Sequence, residues 1–224
     1  MILIDSKRKK PETILKKYPN AILIDVTSKG KDEFVKLSPF YPHSGIPVPF
    51  SEGYTATCVE AIWQGLKVFE KNGIDINLFK NDTMRNLKRT VRKFGKPLGH
   101  QKGVGGKKLL GYIEARKLIY IPSYFWVLEN KVQDIVHKIA QNSKTKTIIL
   151  LDYNVNDDVE NTKTPLSHAS LIKKYIESLN QESQPINDNL NSEVKKINKQ
   201  NRKRKIKDDQ DKEITKKVKS VDKI

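Results

Sequence analysis

Apolar residues fall in short periodic blocks over the first 180 or so positions and thin out beyond them. Met1–Asp5 and Ala21–Val26 (AILIDV) predict strands, the second continuous in apolar residues and therefore interior. Pro11–Tyr18 predicts a helix with proline in its first turn. Thr55–Gly73 (TATCVEAIWQGLKVFEKNG) predicts the central helix. Thr57 and Glu60 have the spacing of a capping box, and Gly73 sits where a left-handed stop belongs. Asn81–Phe94 predicts a second helix with Met84, Leu87, Val91 and Phe94 as a narrow apolar seam. Leu109–Leu118 and Ser123–Gln141 predict two more, divided by Tyr120-Ile121-Pro122. In the second, Phe125, Leu128, Val132, Ile135, Val136 and Ile139 face the core. Lys146–Tyr153 is the clearest strand, interior, and Pro165–Leu179 the last helix. These elements make one α+β, mostly helical domain with a small sheet over residues 1–179. From Asn180 the chain is rich in Gln, Asn, Ser and Lys and has no aromatic residue. That composition predicts a disordered basic tail, 180–224.

The central helix carries a polar stripe. On a wheel at about 100° per residue with Glu60 at zero, Gln64 falls at about +40° and Lys67 at about −20°. Apart from Glu70, the rest of its surface is apolar or small, so the helix is expected to be buried. Lysine and glutamate are rarely buried unless paired or used, which makes Glu60, Gln64 and Lys67 candidate site residues. The plain structural alternative is a cap, a backbone partner and a snorkelling amine.

Leu37–Phe50 (LSPFYPHSGIPVPF) has four prolines, which exclude a ladder or a helical turn. It nevertheless holds Phe40, Tyr41 and Phe50. We expect an ordered loop packed on the central helix, with Phe40 and Tyr41 walling a ring-bearing ligand and Phe50 plugging the core. Gly95–Lys108, with five glycines and four lysines, lacks the Walker spacing and reads as a mobile surface loop. Arg85, Lys88, Arg89, Arg92 and Lys93 cover the second helix. Arg85 and Arg89 are candidates for a phosphate or nucleic-acid backbone, against a simple solvated face. Asp152, Asp157 and Asp158 follow the late strand, where polar residues often line a site. Arg116, Trp126, Glu129 and Asn130 are further candidates, for whose charged members surface pairing is an equal account.

The 224 residues suffice for one full core. The formal net charge of +17 and pI of about 9.7 favour anionic partners such as nucleic acid or phosphorylated metabolites. Residues 181–224 hold 13 Lys/Arg against 8 Asp/Glu, so most of that charge belongs to the domain. Within the tail, NRKRK (201–205) reads as a nuclear-import signal or a nucleic-acid tether, against a plain solvating tail. The single cysteine, Cys58, suits a reducing compartment. No apolar run has the length of a membrane span, so a cytoplasmic setting is expected, or a nuclear one in a eukaryote. The four histidines (43, 100, 137, 168) lack metal-ligand spacing, so neither metal nor cofactor is expected.

Leu37-Ser38, Phe40-Tyr41-Pro42, Glu60, Gln64 and Lys67, in that order and spacing, resemble the NADAR (YbiA-like) family. Its members carry a segment close to LSNFYP, then a helix of the form E-H-x-x-Q-x-x-K-F. Here Pro39 replaces the asparagine, Ala61 the histidine, and Val68 separates Lys67 from Phe69. The resemblance implies a YbiA-like fold and N-glycosidase chemistry on a ribose-to-base bond. Substrates would be an ADP-ribosyl group on guanine in nucleic acid or a phosphoribosylamino intermediate. It implies catalytic roles for Lys67 and Glu60. Gln64, Trp63, Phe40, Tyr41, Ser38, Arg85 and Arg89 are then expected around the substrate, with Asp152, Asp157 or Asp158 as the late acid. A rival reading is a non-catalytic nucleic-acid-binding accessory protein that uses the basic helix and the tail.

Overall fold

Strand β1 (Ile2–Ser6) leads through the basic residues 7–10 to helix α1 (Pro11–Lys17), whose first residue is the expected proline. Strand β2 (Ile22–Asp25) follows. The structure, a computed structural model, describes residues 1–182. The expectations for the tail lie outside the described residues, apart from 180–182, which belong to the last helix. A 3-10 turn (Glu33–Leu37), capped by the Asp32 side chain, opens the proline-rich loop. That loop is ordered, as expected, but it is not free of ladder. β3 (Ile46–Pro47) pairs antiparallel with β4 (Thr55–Ala56), and Val48 donates to the Tyr54 carbonyl just beyond. Two residues at an exposed edge tolerate a proline that a central strand would not. Phe50 does not plug the core. It is half exposed at a φ of +56° in the turn of this hairpin, beneath the Lys102 ammonium.

Helix α2 (Val59–Gly65) is wholly buried, but it is far shorter than the sequence pattern implies. Its cap is Cys58, whose Sγ accepts from the Ala61 N–H, while Thr57 Oγ1 donates instead to Asn81. The helix stops at Gly65 because of tertiary packing. A Cβ there would lie 2.4 Å from the Phe79 ring, and the Gly65 carbonyl accepts from Asp75 N–H at 2.7 Å. Beyond Leu66 the chain extends as β5 (Lys67–Phe69), which suits a β-branched and an aromatic residue.

The second helix expected over 81–94 does not form. The Asn81 side chain accepts from the N–H and hydroxyl of Thr83, offering the backbone a turn in place of a helix. Met84 and Asn86 have positive φ, and burial alternates along 87–90, so that Leu87 and Arg89 point inward. Only α3 (Val91–Phe94) is helical. Part of the glycine-rich stretch is strand rather than loop. β6 (Pro97–Gln101) pairs antiparallel with both β5 and β7 (Leu109–Leu110). Gly99 is required there, since a Cβ would meet the Leu110 carbonyl at 2.5 Å.

Helix α4 (Tyr112–Ala115) runs through a π turn (Arg116–Tyr120) directly into α5 (Ile121–Asn130). The expected break at Tyr120–Pro122 is absent. Ile121 N–H reaches the Arg116 carbonyl, and Pro122 lies in the first turn of α5, where no donor is needed. The break falls instead at 131–132, before α6 (Gln133–Thr145). β8 (Ile148–Asp152) is buried at all five positions and lies between β1 and β2, parallel to both. β2 is therefore an edge strand, not an interior one. Its apolar run has another cause: Leu23 packs under α1 with Ile14 on one face, and Ile24 joins the main core on the other. Helix α7 (His168–Glu182) closes the described chain, with Leu171, Ile172 and Ile176 buried. The fold is α+β, and Met1–Leu179 form one compact unit. Among the described residues no helix is long and apolar enough to cross a membrane.

Candidate active site

Helix α2 and the residue that begins β5 bring Glu60, Gln64 and Lys67 to one wall of a cavity of about 470 Å³. Gln64 Nε2 donates to Glu60 Oε1 at 2.8 Å. Gln64 Oε1 accepts from the Arg89 backbone N–H at 3.2 Å and from Lys67 Nζ at 3.4 Å. Because a backbone N–H can only donate, the amide orientation is fixed, and with it the direction of the chain from Lys67 to Glu60. Burial pushes the Glu60 carboxyl up and the Lys67 amine down; their mutual attraction opposes both displacements without cancelling either. The Pro39 carbonyl accepts from the Glu60 N–H at 2.9 Å, which ties the proline-rich loop to the helix and places Ser38 and Phe40 on the cavity.

A further part of the lining comes from the carboxyl edge of the three-stranded parallel sheet. Arg8 follows β1, Thr27 and Ser28 follow β2, and Asp152, Tyr153 and Asn154 end β8; all line the cavity. In open parallel sheets this edge is where ligands bind. Asp152 Oδ2 accepts from Ser167 Oγ at 2.8 Å and lies 3.0 Å from His168 Nδ1. His168 Nε2 lies 2.8 Å from the Val26 carbonyl. Both ring nitrogens face acceptors, so both carry protons and the ring is an imidazolium. Burial works against this charge, but Asp152 overcomes it and raises the His168 pKa. Burial likewise works against the Asp152 carboxylate, which the imidazolium and its hydrogen bonds hold below the usual range.

Arg116, almost fully buried, donates to the carbonyls of Val159, Asn161 and Thr164 and to the Tyr112 hydroxyl, pinning the segment after β8 over the cavity. Trp63 meets Tyr112 and Tyr120 edge-on, with centroids 5.8 and 5.6 Å apart. The π turn carries Tyr120 to the cavity wall. Cations outnumber anions around the cavity: Arg8, Lys67, Lys88, Arg116 and His168 stand against Glu60 and Asp152.

Of the residues singled out from the sequence, Glu60, Gln64, Lys67, Trp63, Ser38, Phe40, Asp152 and Arg116 line the cavity. Tyr41 does not; it packs on His43. Arg85 is exposed, and Asp157 and Asp158 are exposed beyond the cavity rim. Arg89 is buried behind the wall, where its guanidinium donates to the carbonyls of Gln64, Lys67 and Gly73 and so holds the α2–β5 junction. The basic helix of the accessory-protein reading does not form; Arg85, Lys88, Arg92 and Lys93 lie exposed along irregular chain and the short α3. Sequence reasoning missed Arg8, Ser28, Tyr112, Tyr120, Asn154 and His168. Only the polar residues that end each strand hinted at three of them.

No curated protein matches the chain. The model of DUF6939, a family of unknown function, matches residues 6–172, a span that includes every cavity-lining residue. The chain therefore belongs to that family.

Proposed function

We propose that this protein is an N-glycosidase that cleaves a ribose-to-base bond in a phosphate-bearing substrate, ADP-ribosyl or phosphoribosyl. The observation that carries the reading is the Glu60–Gln64–Lys67 chain open to a cationic cavity rather than sealed in the core. Burial favours the neutral form of both end groups, an acid with a proton to give and an amine with a lone pair. Glu60 gives its proton to the ring oxygen of the ribose as the ring opens and the base nitrogen forms a C=N bond to C1′. The Lys67 amine adds to C1′. The base nitrogen then takes up a proton and leaves with the C1′–N electron pair, and a Lys67–C1′ imine remains. Water adds to the imine and releases the sugar aldehyde and the amine, so one water is consumed per bond cleaved. Gln64 keeps acid and amine apart while holding both, and Trp63 and Phe40 flank the planar base. The resemblance to the NADAR family at Glu60, Gln64 and Lys67 agrees with this chemistry.

The test is to incubate the full chain with guanine-ADP-ribosylated DNA and, separately, with a phosphoribosylaminopyrimidine, and to follow release by mass spectrometry beside Lys67→Ala. Release by the wild type and not by the variant is expected from one of the two. Release by neither, or equal release by the variant, removes the proposal.

A further inference from the structure

At the sheet end of the cavity the protein leaves hydrogen-bonding capacity unused. Among the described residues, neither the backbone N–H nor the hydroxyl of Ser28 is engaged, and the Asn154 side chain has no partner. Arg8 donates one bond to the Tyr153 carbonyl at 2.7 Å and has no carboxylate within ion-pair distance. The acids that end β2 and β8 are already satisfied. Asp25 pairs with Lys7 at 2.9 Å and accepts from Thr27. Asp152 is held by Ser167, by the Tyr153 N–H and by the His168 imidazolium. Arg116 adds a further charge whose bonds go to neutral carbonyls. An anion at this end would meet positive charge and free donors, with no unneutralised carboxylate to repel it.

We propose that Arg8, Ser28 and Asn154 form a phosphate subsite at the carboxyl ends of β1, β2 and β8, which takes the 5′-phosphate or pyrophosphate of the ribosyl substrate. The identity of the sugar rests on the N-glycosidase reading; the anion does not. The ribose then spans the cavity with C5′ toward Arg8 and C1′ toward Lys67, past Tyr120, which lines the same cavity.

Isothermal titration of the full chain with inorganic pyrophosphate, ribose 5-phosphate, ADP-ribose and ribose tests the subsite. Arg8→Gln and Ser28→Asp are made separately, each checked by thermal melting, so that a folding defect in one leaves the other informative. Each is expected to weaken pyrophosphate and ribose 5-phosphate by roughly tenfold or more and to leave ribose unmoved. A preference for ADP-ribose over ribose 5-phosphate assigns the site to pyrophosphate, and the reverse to a single phosphate. Pyrophosphate affinity unchanged in both variants, lost only in Lys88→Gln, or absent from the wild type overturns the subsite. None of these results touches the Lys67 chemistry, which base release reads separately. Conversely, Arg8-dependent pyrophosphate binding without base release supports the subsite while removing the glycosidase.

Discussion

His100 gives the most direct quantitative test of the interior behind the site. Its ring is 2% exposed and lies against Trp63 at a 31° tilt, with centroids 3.7 Å apart. Neither ring nitrogen has a hydrogen bond of normal geometry. It pairs in register with Lys67 across β5 and β6. Burial, and then the nearby Lys67 charge, push its pKa from 6.5 down to about 3. The folded state therefore refuses a proton that the unfolded chain accepts between those two values. The sign follows: His100 costs no stability on this account above about pH 6.5, and stability falls as pH drops through the window to about 3. The complete penalty is about 5 kcal/mol, and the part developed between pH 8 and pH 5 is about 2 kcal/mol. His100→Phe keeps a ring against Trp63, removes both unsatisfied nitrogens and cannot take up the proton. Urea unfolding of the two full chains at pH 8, 6.5 and 5 should show the variant at least as stable at pH 8. Its advantage should then grow by about 2 kcal/mol toward pH 5. A difference that stays constant with pH would mean that the ring finds water or a partner, and the argument fails.

Three further outcomes are expected. Asp152→Ala strands the buried His168 imidazolium and should cost about 3–5 kcal/mol at neutral pH by thermal or urea unfolding; because the folded His168 pKa is raised, the loss should narrow as pH rises through it, and a pH-independent loss would refute the charge assignment. Gly65→Ala would be favourable by helix propensity alone, but its Cβ must displace the Phe79 ring, so a loss of about 1–3 kcal/mol is expected in urea; a stabilised variant would show that the α2 stop is not set by that contact. If Glu60 supplies a proton and Lys67 a lone pair, base release should rise with pH as Lys67 deprotonates and fall as Glu60 ionises. Glu60→Gln should lower the rate by about 10²-fold and flatten the alkaline limb; a variant that keeps that limb would place the second ionisation elsewhere.

The local grammar of this chain is enough for its class and for the heart of its candidate site. A continuous apolar run marks β8, a proline in the first turn marks α1, and period-3.6 blocks mark α6 and α7. The four-residue spacing puts Glu60 and Gln64 on one face of a helix whatever its length. An acid, an amide and an amine among apolar neighbours carry their own warning, because burying them costs more than local structure returns. Local pattern fails where distant chain decides. Gly65 ends α2 because Phe79 and Asp75 arrive there, and Lys67 reaches the site from a strand that exists only because His100 pairs with it. The segment 81–94 has helical periodicity, but Asn81, Leu87 and Arg89 find better partners outside a helix. Above all, Arg8, Ser28 and Asn154 are scattered over most of the domain and carry no motif. Only the parallel order of β1, β8 and β2 sets them side by side, since parallel pairing places all carboxyl ends on one edge. Residue chemistry alone marks the groups that are awkward to bury; long-range strand pairing and packing set which of them share a cavity.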